Sequence, residues 1–224
     1  IERNPNVEID PEKLESAAKV NAHGYGISII DRGKMETFRN YTEAGNDPKE
    51  IQKIFEDAKG YKLFAHLRYS TKGQKNLDNC HPFPIFEDGD YKIMFMHNGT
   101  LSSLGDTTRS DSREFAEEYL APLTRAFYEI EGEGILVDKK YEKIIEHFRG
   151  GGSVFTLYDS NGESLKMGKG FDYEGWWSSN EYSFNRSHRE PTVPFNQGSR
   201  NSSGGTNYYF RGSAVNPIYN ETRE

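Results

Sequence analysis

The chain has 224 residues, a formal net charge of −7 at pH 7 and a mean hydropathy of −0.86. This length suits one domain, and an acidic balance without a basic run argues against nucleic-acid binding. No stretch approaches the roughly 18 apolar residues of a membrane span, and the single cysteine, Cys80, excludes an internal disulfide framework and fits a reducing, cytoplasmic compartment.

The predicted elements group antiparallel strands with helices. Asp10, Pro11 and Glu12 supply an N-cap, a first-turn proline and an acid at the positive helix end, so a helix is expected from Pro11 to about Asn21. Apolar periodicity then predicts these elements in order: strands at 25–30 and 35–40, a helix at 48–58, strands at 61–69 and 92–97, helices at 110–120, 123–128 and 138–148, and strands at 153–158, 163–167 and 175–180. No strand is expected before the first helix. The grouping favours an α+β fold over a doubly wound sheet.

Composition divides the chain near residue 185. Residues 1–184 carry apolar periodicity, whereas residues 185–224 are rich in Ser, Asn, Gly and Arg and have no stable period. We therefore expect a folded domain over 1–184 and a tail over 185–224 that is disordered or bound to a partner. If the tail docks, its Tyr208–Phe210 cluster is the expected anchor. The glycine-rich segment 203–206 lacks the flanking strand and helix of a phosphate-binding loop and is set aside.

Two polar positions could hold the charged ends of an amino acid. Arg68 ends a predicted buried strand, where a guanidinium can bind a carboxylate in bidentate fashion or form a structural ion pair. The Thr71 hydroxyl and the Gly73 N–H follow in a turn and either help hold that carboxylate or serve ordinary turn chemistry. Asp111 lies at a predicted helix start, where it either receives an ammonium group or acts as a simple N-cap.

Asn98 and Gly99 follow the strand predicted at 92–97. A side-chain amide together with a glycine N–H provides the two neutral donors that an oxyanion hole requires. Asn-Gly is also a common hairpin-turn dipeptide, so the residues alone leave both interpretations open.

Other reactive side chains are weaker candidates. Cys80 and His81 are adjacent, and in an extended segment their side chains point to opposite faces, so a thiol–imidazole pair is disfavoured and Cys80 is expected to be a small buried hydrophobe. His23 is expected to be structural. His66 and His97 have no metal-spaced cluster around them, so neither a metal nor another cofactor is expected.

Taken in order, four motifs resemble those of the class II glutamine amidotransferases, which are N-terminal-nucleophile hydrolases: H-L-R-Y-S-T-K-G at 66–73, N-C-H-P at 79–82, H-N-G at 97–99 and S-D-S-R-E at 110–114. The resemblance covers roughly residues 14–184. It implies a four-layer α/β/β/α sandwich of two antiparallel sheets.

The resemblance also implies roles for individual residues. Arg68 and Thr71 would bind the glutamine α-carboxylate, Asp111 would hold the α-amino group, and His81 would lie near the glutamine pocket. Asn98 and Gly99 would form the oxyanion hole.

The family reaction is hydrolysis of glutamine to glutamate and ammonia through a thioester. The expected ligand is glutamine or a γ-glutamyl amide. Because no acceptor domain follows, the expected partner is a separate ammonia-acceptor protein, or a second copy of this chain bound through the tail. Neither nucleic acid nor a membrane is expected.

The family nucleophile is a cysteine at the first position of the mature chain, whereas this sequence begins at Ile1 and has no Cys, Ser or Thr before the first predicted helix. One hypothesis places the cysteine in a short stretch upstream of Ile1, so that the chain as printed should be inactive. The alternative is an inactive homologue, of phage origin for instance, that serves as a binding or assembly module. A third interpretation is an unrelated α+β binding protein in which Arg68 is structural.

Overall fold

The computed structural model describes residues 1–184, and the predicted tail at 185–224 lies outside the described residues, together with its Tyr208–Phe210 cluster. The strands are β1 Glu2–Arg3, β2 Tyr25–Asp31, β3 Lys34–Asn40, β4 Lys62–Leu67, β5 Phe83–Asp88, β6 Tyr91–Asn98, β7 Val154–Asp159, β8 Ser164–Met167, β9 Phe171–Tyr173 and β10 Trp176–Ser178. The α-helices are α1 Pro11–Val20, α2 Pro48–Asp57, α3 Asp111–Phe115, α4 Ala121–Glu131 and α5 Lys139–Arg149. None of the helices in this part of the chain is both long and apolar enough to cross a membrane.

The strands form two antiparallel sheets. Six strands pair in the order β3-β2-β4-β1-β10-β9, and four pair in the order β5-β6-β7-β8. Strand β1 lies in the middle of the larger sheet, where Glu2 pairs with Phe64 of β4 on one side and with Trp177 of β10 on the other.

Three apolar clusters hold these layers together. Leu14 of α1 and Ile51 of α2 pack against the outer face of the six-stranded sheet. Phe64 and Tyr158 stack at a ring distance of 3.9 Å between the two sheets. A third cluster packs α3 to α5 against the smaller sheet; it includes Phe95, Phe115, Leu120, Ile145 and Phe155. Since each layer buries its apolar face against the next, the four-layer α/β/β/α sandwich expected from the resemblance is confirmed.

Helix boundaries follow local chemistry that the sequence displays. The Asp10 carboxylate accepts a hydrogen bond from the Glu12 N–H at 2.9 Å and so caps α1, as expected. Residues 111–131 run through α3, a π-helical segment at Ala116–Leu120, and α4. Pro122 lies in the first turn of α4, and because it has no N–H and crowds the preceding turn, regular α-helical pairing is interrupted there.

The sequence prediction of strands was wrong at three places. Strand β1 exists although no strand was expected before the first helix, because two residues are too short to show a period. Strand β5 was missed since Pro84 interrupts its pattern; the structure places it at a sheet edge with a register shift after Pro84, where proline is tolerated. Strand β9 has only three residues.

Candidate active site

The six residues assigned to the site from the sequence all line one cavity of about 1030 Å³: Arg68, Thr71, His81, Asn98, Gly99 and Asp111. They converge because β4 and β6, one from each sheet, both end at this cavity, and the first residues of α3 also line it.

Arg68 follows β4, and its guanidinium is buried at the cavity wall. It donates hydrogen bonds to the Ser70 hydroxyl at 3.0 Å, the Lys72 carbonyl at 3.2 Å and the Gln74 carbonyl at 3.3 Å. Within residues 1–184 it forms no ion pair, although Asp111 is close enough to influence its pKa, which burial lowers below the usual value. A buried guanidinium bonded only to neutral acceptors is suited to receive an anion.

The turn after Arg68 is braced against the loop after β6. The Lys72 ammonium group donates to the carbonyls of Ser102 at 2.8 Å and Leu104 at 2.7 Å. The Thr71 hydroxyl lies 3.3 Å from that of Thr100 and faces the cavity. The expectation that the Gly73 N–H helps hold a carboxylate is wrong, because it donates to the Asp106 carbonyl at 3.1 Å.

Asp111 is the first residue of α3 rather than its cap. The Ser110 hydroxyl is the N-cap and accepts from the Arg113 N–H, so the simple N-cap interpretation of Asp111 is wrong. One Asp111 carboxylate oxygen accepts the Leu101 N–H at 2.6 Å. Burial raises the pKa of this carboxyl above its ordinary value, and the backbone hydrogen bonds oppose that shift only in part. A cation bound in the cavity would therefore stabilise the charged form of this carboxyl group.

Asn98 ends β6, and Gly99 follows it. The strand that pairs with this end of β6 is β7, where Asn98 is opposite Val154, so the chain does not form a hairpin turn here. The Asn98 amide donates to the Ser179 hydroxyl at 3.0 Å, which fixes its plane and leaves its second N–H for another acceptor. Gly99 has φ +138°, and a Cβ there would lie 2.6 Å from the Ser153 hydroxyl oxygen. A side chain at this position would be both strained and crowded. The hairpin interpretation is wrong for a different reason, namely that no strand follows Gly99 before β7 begins at Val154.

Three histidines form the inner wall of the cavity: His66, His81 and His97. The His66 and His81 rings lie 3.9 Å apart, and burial lowers the pKa of His66 and of His97 to about 3 and that of His81 well below its usual value. All three are neutral near pH 7. Within the described residues no group of three or more His, Cys, Asp or Glu side chains is placed to hold a metal ion.

Cys80 lies outside this cavity. Its sulfur is buried against the carbonyl oxygens of Asn76 at 3.4 Å, Asn40 at 3.8 Å and His23 at 3.9 Å, and burial raises the pKa of its thiol. The neighbouring His81 faces the cavity instead. Both observations agree with a structural cysteine. His23 also has a structural role, accepting the Ser70 N–H at 2.9 Å.

A second, smaller cavity of about 10 Å³ lies between the sheets next to Ile1. Its wall includes His66 of β4, Asn98 of β6 and Ser179, which follows β10. The Ile1 nitrogen donates to the Ala65 carbonyl at 2.8 Å, and the Ala65 N–H donates back to the Ile1 carbonyl at 2.9 Å. Ile1 therefore occupies an ordinary antiparallel strand position.

Comparison with known proteins agrees with this geometry. Residues 12–116 match the family model of the class-II glutamine amidotransferases. This matched segment contains all four motifs, and its similarity to the class II glutamine amidotransferases agrees with what those motifs indicated.

Three relatives illustrate the match. The chain is 30% identical over 114 residues to the probable glutamine amidotransferase DUG3 of Saccharomyces cerevisiae, covering 48% of this chain and 30% of that protein. It is 33% identical over 92 residues to an amidophosphoribosyltransferase of Staphylococcus aureus, covering 39% of this chain and 17% of that enzyme. A solved glutamine phosphoribosylpyrophosphate amidotransferase from B. subtilis matches 71% of this chain and 34% of its own, with 18% identity and a TM-score of 0.47. The matches thus span about a third or less of the length of these three proteins.

Proposed function

We propose that this domain hydrolyses the side-chain amide of glutamine, or of a related γ-glutamyl amide, and releases ammonia. The observation that carries the proposal is the convergence of a buried cation, a buried anion and two oxyanion donors on one cavity, within a chain whose residues 12–116 match the amidotransferase family. Arg68 would bind the α-carboxylate with help from Thr71, and Asp111 would bind the α-ammonium group.

The register of β1 supports a position for the proposed nucleophile. Glu2 is opposite Phe64 and Trp177, and therefore the residue immediately before Ile1 would lie opposite His66 and Ser179. Side chains alternate along a strand, and Glu2 faces the second sheet, where its carboxylate contacts Lys166 at 2.8 Å. The residue before Ile1 would thus point between the sheets into the smaller cavity, beside Asn98. We assign the nucleophilic cysteine to this position.

With the cysteine at this position, the reaction would use the oxyanion donors of Asn98 and Gly99 and the α-amino group of the cysteine itself. The thiolate attacks the amide carbon, and the developing oxyanion accepts hydrogen bonds from the Asn98 amide and the Gly99 N–H. The α-amino group of the cysteine takes the thiol proton and gives a proton to the departing ammonia. Water then hydrolyses the thioester to glutamate. His81 would shape the pocket as a neutral ring, and ammonia would pass to an acceptor outside this domain.

The experiment compares three N-terminal extensions of the chain, each assayed for ammonia release from L-glutamine. A chain with Cys directly before Ile1 should be active, and the same chain with Ser there should be far slower. A third chain with Cys-Ala before Ile1 moves the thiol by one residue to the opposite face of the sheet and should be inactive. Equal inactivity of all three folded chains would refute hydrolysis and favour the alternative of a binding or assembly module.

A further inference from the structure

The His97 ring lies between the two parts of the cavity that the proposed function requires, the ammonium site at Asp111 and the oxyanion hole at Asn98 and Gly99. Its Nδ1 lies 2.9 Å from the Ser112 hydroxyl oxygen, and its Nε2 lies 3.1 Å from that of Ser153. All three side chains are almost fully buried, with His97 only 2% exposed. A neutral imidazole has one donor and one acceptor, and each hydroxyl can take either role, so both hydrogen bonds form whichever ring nitrogen carries the proton.

The Ser112 contact reaches the predicted ammonium site. Ser112 is the second residue of α3 and directly follows Asp111. Asp111 is itself bonded to the Leu101 N–H at 2.6 Å. The loop at 97–101 is therefore fixed to the start of α3 at both ends, by His97 through Ser112 and by Leu101 through Asp111.

The Ser153 contact reaches the predicted oxyanion hole. Gly99 packs directly on it: a Cβ at Gly99 would lie 2.6 Å from the Ser153 hydroxyl oxygen and 3.0 Å from His97 Nε2. The hydrogen bond between His97 and Ser153 therefore helps to set the orientation of the Gly99 N–H.

We propose that His97 is a positioning residue that sets the separation between the ammonium site at Asp111 and the oxyanion hole at Asn98 and Gly99. The Nδ1 atom contacts Ser112 and the Nε2 atom contacts Ser153. Because the two contacts use different ring nitrogens, their effects can be separated. The Ser112 contact governs binding of the substrate's α-ammonium group, and the Ser153 contact governs stabilisation of the transition state. This inference rests on the proposed function.

The two contacts are tested separately in the full chain that carries the cysteine. Ser112→Ala should raise KM for glutamine about fivefold and change kcat less than twofold, as expected for the loss of one hydrogen bond that serves ground-state binding. Ser153→Ala should lower kcat by about fivefold to tenfold and leave KM within twofold. His97→Asn keeps a polar atom near the Nδ1 position and should resemble Ser153→Ala, whereas His97→Gln keeps one near Nε2 and should resemble Ser112→Ala.

A second readout does not depend on activity. Hydrogen exchange of the Leu101 amide should quicken in Ser112→Ala, which loosens α3 from the loop, and should stay near the wild-type rate in Ser153→Ala. Equal changes of KM and kcat in both serine variants, or an unchanged Leu101 exchange rate in Ser112→Ala, would overturn the proposal. If the wild-type chain hydrolyses no glutamine, the proposed function fails, and the exchange rates alone decide whether His97 couples the two sites.

Discussion

Replacing Arg68 by methionine separates substrate binding from fold stability. The side chain keeps its length and apolar stem but loses the guanidinium. A bidentate carboxylate pair contributes two charge-assisted hydrogen bonds of about 1.5–3 kcal/mol each, so Arg68→Met should weaken glutamine binding by roughly 3–5 kcal/mol. That corresponds to a rise in Kd or KM on the order of a hundredfold to several thousandfold.

Stability should change little, for a reason visible in the structure. The three acceptors of Arg68 are one hydroxyl and two loop carbonyls around the cavity, where water can replace the guanidinium. Losing those bonds is offset by removing a buried charge that has no ionic partner in residues 1–184. We expect a net change within about 1 kcal/mol, or roughly 2–4 °C in melting temperature.

Arg3→Met is the matched control. Arg3 is about as buried as Arg68, and like Arg68 it donates only to neutral acceptors. Its acceptors are backbone carbonyls, including those of Phe55 and Ala58 at the end of α2, which would be left without this donor. This variant should melt well below the wild type while the folded protein binds glutamine normally. Calorimetric titration with L-glutamine and thermal unfolding are the two assays. A large stability loss in Arg68→Met with unchanged affinity would refute the ligand role of Arg68.

Three further outcomes are expected. Because burial raises the pKa of Asp111, glutamine affinity should fall as the pH is lowered from 7 towards about 4, and Asp111→Asn should bind weakly with no such dependence; a wild-type affinity that is flat with pH would contradict this. Gly99→Ala should cost about 2 kcal/mol in urea unfolding because of its positive φ and its contact with Ser153, whereas Gly134→Ala, where a Cβ meets no atom, should cost little. Cys80 should react with a thiol reagent only after unfolding, and rapid labelling of the folded chain would contradict its burial.

Features that depend on local sequence patterns or on the order of motifs could be predicted from the sequence. Capping at Asp10 located α1, apolar runs located β4 and β6, and the site residues predicted from the motifs line one cavity. Hydrogen bonds between residues that are distant in sequence could not be predicted. The link from His97 to Ser153 spans 56 positions, and that from Asn98 to Ser179 spans 81. No local spacing displays such pairs.

The local errors have physical causes too. Ser110 and Asp111 are both good N-cap residues, and only the observed hydrogen bond from the Arg113 N–H to the Ser110 hydroxyl distinguishes them. The Asn-Gly dipeptide at 98–99 favours a hairpin by itself, but contact with Ser153 requires glycine for space as well as for its backbone conformation.

The most direct test of the account is the intact mass and N-terminal sequence of the protein purified from its native source, measured alongside its release of ammonia from glutamine. We predict a mature chain in which one cysteine immediately precedes Ile1 and which hydrolyses glutamine. A native chain that begins at Ile1, or one that carries its cysteine at another register and still hydrolyses glutamine, would contradict the assignment.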